Sequence, residues 1–353
     1  MKKRSTAIGW WVALGLCGAC SASTTVMPGA DGSGGAGATG TGAAGTGAAG
    51  AGLGSSGASD PGACPAGEDL AHVAPDESAP SFIALDATHV YWSADTEIRR
   101  APRAGGEVET LAGGQPIAMG LTVDESFVYW AMHDDPGIRR APKGGGPWVE
   151  LAADIESGGA FAMVAVDATH LYARGGCADI VRLDKTGGPI EPVVSSEGCI
   201  GAIALDAEWL YYAAEGAAGA ILRVPKEGGI AEVLVPAEVG ASGYTGAAPG
   251  LAVDAEHVVW MSSDTGRVLA VPKAGGAPSV LATGVALGQD VVTDGARVYW
   301  SEKNAVRVVG IDGGQVVTLV ASPQLVPMGL VLGAHHLFFT SYVSTGPVMR
   351  VCR

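Results

Sequence analysis

The sequence predicts an all-β domain: a seven-bladed β-propeller closed by an N-terminal strand. Three observations predict it. A unit of about 40 residues recurs seven times after Ser81, which is the period of a propeller blade. Each unit reads as four short apolar or aromatic runs separated by Asp, Pro and Gly-Gly turn signals, with no 3.6-residue periodicity. The last unit lacks its fourth run, and a spare one precedes the first.

The most regular part of the unit is an Asp followed at five and six residues by aromatics. It gives Tyr91-Trp92 after Asp86, Tyr129-Trp130 after Asp124, Tyr172 after Asp167 and Tyr211-Tyr212 after Asp206. Val259-Trp260 follows Asp254, Tyr299-Trp300 follows Asp294, and Phe338-Phe339 follows Gly333, where the Asp is lost. The first strand is apolar, as in Ile83-Ala84-Leu85, and ends in a turn that the Asp side chain caps by bonding the backbone two residues on. The second strand carries the aromatic pair. The third is Ile98-Arg99-Arg100-Ala101 or Ile221-Leu222-Arg223-Val224. A Pro-Lys-x-Gly-Gly turn follows, as in Pro225 to Gly229, with Pro presetting φ and Gly supplying positive φ. Val108 to Leu111 or Glu232 to Leu234 is the fourth. Such a sheet cannot bury both faces alone, whereas a radial array buries neighbours against each other and leaves short edges.

The seventh unit ends in its third strand, Val348 to Arg353, and Asp69 to Val73 is placed to supply the missing fourth. Cys352 then occupies the position of Pro102, and Cys64 maps to Gly105. These positions flank a hairpin turn, where Cα atoms lie about 5–6 Å apart, so a Cys64–Cys352 disulfide is expected to staple the closure. Cys177 falls in the loop between the second and third strands of blade three, and Cys199 falls just before blade four. Both connections emerge on one face, which pairs Cys177 with Cys199. An even cysteine count in an exported chain favours disulfides over metal ligation.

Ahead of the propeller, Lys2, Lys3 and Arg4 precede the apolar run Ala7 to Leu16, as in an export signal too short to span a bilayer. One reading is a signal cut by the ordinary peptidase; the sharper one is that Gly18-Ala19-Cys20 resembles the end of a bacterial lipoprotein lipobox, which implies lipidation at Cys20. The expected division is a signal over 1–19, a flexible tether over 20–63 and the propeller over 64–353. Thr24 to Ser59 is almost entirely Gly, Ala, Ser and Thr, and a tether of about 36 such residues spans roughly 35 Å r.m.s.. The resemblance implies a bacterial cell-envelope location, with membrane contact through the lipid anchor only.

The formal net charge is −15, and loss of Lys2, Lys3 and Arg4 with the signal takes it to −18. An acidic domain without a basic stripe argues against nucleic acid and anionic membrane surfaces as partners. The sequence has no Gly-x-Ser-x-Gly elbow, no phosphate-cradling Gly-x-x-x-x-Gly-Lys and no EF-hand spacing. His89, His170, His257 and His336 share one turn position, so turn chemistry explains them. The repeated Asp residues read as hairpin caps on the opposite face, and the aromatic pairs as packing between blades. No metal set, catalytic set or cofactor is expected.

What remains is the face bearing the 2–3 and 4–1 loops, where the units diverge. Candidate ligand-face residues are Asp95, Met119, His133, Asp134, Arg174, Glu215, Asp264, Asp290, Glu302 and Tyr342. Variable loops on a rigid scaffold are where function usually resides.

At Asp-x-x-x-Val-Tyr-Trp followed by Ile-x-Arg, the units from Leu70 to Arg353 resemble the YWTD and NHL-type propellers of extracellular proteins. The resemblance implies ligand binding, protein docking or, in a few members, catalysis. A similar seven-bladed scaffold occurs in the streptogramin B lyases, whose metal is held by His and Glu on one face; here His133 is the histidine on the corresponding face. The expectation is a monomeric, lipid-anchored, non-catalytic module for a protein or small ligand. The alternatives are a lyase- or lactonase-type enzyme with a metal at the central channel, or a structural envelope protein.

Overall fold

A computed structural model describes residues 70–132, 137–153, 161–196, 198–214, 220–236, 250–262 and 265–353. Among these, 28 strands, β1 to β28 in chain order, form seven four-stranded antiparallel sheets. The predicted signal and tether, with Cys20 and Cys64, lie outside the described residues.

Blade one displays the common plan: β2 (Pro80–Leu85), β3 (His89–Ala94), β4 (Glu97–Pro102) and β5 (Glu109–Ala112), hydrogen-bonded in that order. The turn from β4 to β5 needs Gly105 at φ +87°, where an L side chain is strained, and the Gly105 N–H closes it on the Pro102 carbonyl at 2.8 Å. The inner strands are β2, β6 (Ala118–Val123), β10 (Phe161–Val166), β14 (Ile200–Leu205), β18 (Leu251–Val253), β22 (Asp290–Thr293) and β26 (Pro327–Leu332). Each packs against the next, and β26 packs against β2, so the ring is complete. Its circumference is tight: a methyl group on Gly329 would stand 2.8 Å from the Ser81 carbonyl oxygen of the next blade.

The aromatic pairs fill the spaces between sheets. Successive residues of a strand point to opposite faces, so the first aromatic faces the following blade and the second the preceding one. Tyr91 and Trp130 thus share the core between blades one and two. Tyr299 and Phe339 share that between six and seven, and Phe338 and Trp92 that between seven and one. Trp92, Trp130, Tyr129 and Tyr299 are fully buried.

The ring closes as the sequence predicts. Blade seven has the order β1-β28-β27-β26, with β1 (Leu70–Glu77) antiparallel to β28 (Gly346–Cys352) and β27 spanning His336–Ser341. Leu70 lies opposite Val351 and His72 opposite Met349. Cys352 pairs with His336 just as Pro102 pairs with His89. Cys352 is disulfide-bonded. β1 runs past the predicted end at Val73 because Ala74 and Glu77 go on pairing with Val348 and Gly346 of β28.

Candidate functional site

The sheet order places the 1–2 and 3–4 turns on one face of the disc and the 2–3 and 4–1 connections on the other. The turn face is built from the repeated Asp. Asp86 Oδ1 accepts the Thr88 and His89 backbone N–H groups at 2.8 Å, and Oδ2 accepts the Tyr91 hydroxyl at 2.8 Å. Lys143, from the Pro-Lys-x-Gly-Gly turn of the next blade, reaches the same Oδ2 at 2.6 Å. The arrangement repeats around the ring as Asp124–Lys185 at 2.7 Å, Asp167–Lys226 at 2.8 Å and Asp206–Lys273 at 2.8 Å, with Arg353 serving Asp294 at 2.9 Å. A strand-three arginine ties the same blades together by donating to the lysine's own carbonyl: Arg100 to Lys143, Arg140 to Lys185, Arg182 to Lys226 and Arg223 to Lys273.

This geometry sets the titration. Burial by itself would raise the Asp167 carboxyl, but Lys226 and the His170 and Thr169 amides outweigh it and hold it down at about 2. Asp86, Asp124 and Asp206 are held below the usual range in the same way, against burial, by Lys143, Lys185 and Lys273 with the turn amides. Burial and the adjoining carboxylate push the Tyr91, Tyr129, Tyr172 and Tyr211 phenols well above their usual value.

Two joints are chemically different. Blade five has Val259 in place of Tyr, blade six has no Lys in its turn, and Asp254 Oδ2 instead accepts the Thr293 hydroxyl at 3.1 Å. Blade seven has Gly333 for Asp and Phe338 for Tyr, and Arg103 of blade one stacks on the Phe338 ring with its guanidinium carbon 5.4 Å from the centroid. From the sequence the lysine reads as part of a turn only. Its ion pair was detectable, because Lys occurs where the preceding unit carries both Asp and Tyr.

On the loop face the candidates separate. Asp290 is buried, its oxygens accepting the Val291 and Leu330 N–H groups at 2.8 Å, so it links inner strands β22 and β26. Glu302 is also buried, accepting the Trp300 indole N–H at 3.2 Å and pairing with Arg307 at 2.5 Å. Both carboxylates therefore face protein groups. Asp95 is exposed at φ +49° in the β3–β4 turn. Met119 is half-buried at the start of β6, and Tyr342 is 50% exposed. Arg174 donates from Nη1 to the Ile200 carbonyl at 2.7 Å. His133, Asp134, Glu215 and Asp264 lie outside the described residues. Cys177 and Cys199 form a disulfide, Cα atoms 4.6 Å apart, joining a 2–3 loop to the following 4–1 connection. Among the described residues, no three His, Cys, Asp or Glu side chains gather as a metal-binding group.

Sequence reasoning missed Glu77. It accepts the Trp92 indole N–H and an Arg99 N–H, each at 2.9 Å, from the outer strand of the preceding blade. One blade on, Gln115 stands in its place and accepts from Arg139 at 3.0 Å, while Trp130 Nε1 is buried with no partner. A Gln115→Glu variant should give that indole an acceptor and raise the thermal midpoint by about 2–4 °C, for about 1 kcal/mol. Calorimetry checks this, and an unchanged or lower midpoint refutes it.

Neither a family model nor a curated protein sequence matches this chain. Solved structures do resemble it. A streptogramin B lyase superposes with a TM-score of 0.66 at 15% identity, over 80% of this chain and 97% of that one. Virginiamycin B lyase from Staphylococcus aureus gives 0.65 at 12%, over 80% and 98%. A chain of the nidogen/laminin complex gives 0.52 at 20%, over 64% and 90%. At these identities the likeness is one of fold: this chain is an all-β, seven-bladed propeller, and the propeller fold is shared by proteins named for catalysis and by one solved as a protein complex.

Proposed function

We propose that this chain is an exported propeller, lipid-anchored through Cys20, that acts as a non-catalytic binding module with the loop face as its working surface. The observation that carries this reading is the contrast between the faces. On the turn face, the recurring charges are spent on joints between blades. On the loop face, Ile117, Leu287, Val326 and Tyr342 are exposed in the connections, with Met119 and Met328 half-buried at the starts of inner strands. A partly apolar surface of this kind suits docking of a protein segment or a small apolar-bodied ligand.

The test is affinity capture from bacterial envelope extract with the full-length chain and with Tyr342→Asp. A specific partner held by the wild type should be lost with Tyr342→Asp, while unfolding temperatures agree. The Cys20→Ala chain should move from the membrane fraction to the aqueous one. Equal capture by both loop-face forms, or unchanged partitioning, would overturn the corresponding part.

The lyase-like or lactonase-like alternative draws support from the superposition with the streptogramin B lyase. It calls for a metal at the channel mouth, which elemental analysis of the purified chain would reveal as a stoichiometric cation.

A further inference from the structure

Arg174 stands near the loop-face end of β11 (His170–Gly175), in blade three. In blades one, six and seven the equivalent residue is Ser93, Ser301 or Thr340, and its hydroxyl bonds the backbone near the start of an inner strand. Ser93 Oγ accepts the Phe82 N–H at 3.1 Å, Ser301 Oγ donates to Met328 O at 3.0 Å, and Thr340 Oγ1 donates to Ser81 O at 2.6 Å. Arg174 performs this task with Nη1 alone, on Ile200 at the start of β14. The rest of its guanidinium is surplus to that structural need.

Among the described residues that surplus has no counter-charge. Arg99, Arg182, Arg223 and Arg307 each pair with a glutamate, whereas among the described residues Arg174 has no acidic partner, and its Nε is buried without a hydrogen bond. An unpaired buried donor costs about 1–3 kcal/mol. The group is also held in place: Ile200 donates its N–H to Cys177 O at 2.7 Å, and the Cys177–Cys199 disulfide fixes both segments. Gly175, Gly176 and Gly201 adjoin Arg174 and Ile200 in the chain. A pre-positioned guanidinium is suited to a carboxylate acceptor. A single positive charge on a chain of net charge −15 favours a monoanion over a dianion.

We propose that Arg174 anchors a site for a small monocarboxylate at the loop-face end of the joint between blades three and four. This deepens the binding-module reading and rests on it, since it names a ligand class for that face.

The experiment is a titration of the full-length chain with benzoate, benzamide and inorganic phosphate, followed at the arginine Nε–H signals by NMR. Benzoate should shift the Arg174 signal saturably, and benzamide should not. Arg174→Gln should weaken benzoate binding by at least about tenfold, the loss of one charge-assisted contact, with the thermal midpoint kept. Equal shifts with benzamide, tighter binding of phosphate, or undiminished benzoate binding by Arg174→Gln would overturn the proposal. Should that variant fail to fold, the contrast between benzoate and benzamide on the wild type still decides. Failure here is separable from failure of the wider reading. Absence of any Arg174-dependent benzoate binding alongside a partner still captured through Tyr342 would sink only this site.

Discussion

Removal of Leu70–Glu77 is expected to lower the thermal midpoint by at least about 10 °C, corresponding to about 4 kcal/mol or more. Blade seven would keep three strands, and the β28 edge would lose its antiparallel partner along its length. Val73 and Ala74 would no longer fill the joint with blade one, where they pack with Trp92, Phe338 and Val348. Glu77 would go as well, leaving the Trp92 indole N–H without its acceptor. The conservative arm is Val73→Asp, which keeps the strand but places a charge in that core; it should reproduce most of the effect, because a charge buried without a partner is strongly destabilising. Calorimetry on both variants decides. A midpoint within a few degrees of wild type for the deletion would mean that the ring holds without its N-terminal strand.

The second large effect is on pH. The folded chain depresses the Asp86, Asp124, Asp167 and Asp206 carboxyls below an unfolded value of about 4. A depressed folded value means stability that is complete above about pH 4 and lost as pH falls toward the folded value, which is about 2 for Asp167. The phenols run the other way. Tyr91, Tyr129, Tyr172 and Tyr211 are raised, so their contribution is complete below about pH 10 and lost above it. The lysine and turn-amide contacts to the Asp carboxylates therefore set the acid limit, and burial together with the adjoining carboxylate sets the alkaline one. A plateau in thermal midpoint from about pH 4 to pH 10 is expected, with a steep acid limb. Lys226→Met should lower the plateau and flatten the acid limb, because Asp167 then has less to lose on protonation. An acid limb with the wild-type slope in that variant would contradict the role given to the ion pair.

The repeat spacing alone fixes blade number, strand order and closure, because one Asp and two aromatics recur at a constant offset and each has a local reason to do so. The burial of Asp290 and Glu302 could not be read in the same way. Their place at the loop-face ends follows from the repeat, but whether a carboxylate there meets solvent or a neighbour depends on residues far along the chain, such as Leu330 for Asp290. Glu77 was missed for a related reason: it belongs to the one strand whose repeat context lies at the opposite terminus. Arg174 stands out in the sequence as a charge on a divergent face, yet that it has no acidic partner among the described residues becomes visible only once the other strand arginines are seen paired.

The closure also has a timetable. The first strand of the domain to leave the ribosome pairs with the last, and the Thr340–Ser81 hydrogen bond beside it joins residues 259 apart. Until β28 exists, β1 has no sheet to join, and blade one lacks the wall that Phe338 supplies. Contacts of such long range close slowly and leave apolar edges open meanwhile. The final strand thus acts as a latch on the whole chain, and an incomplete polypeptide carries an unsealed ring however well its middle blades have formed.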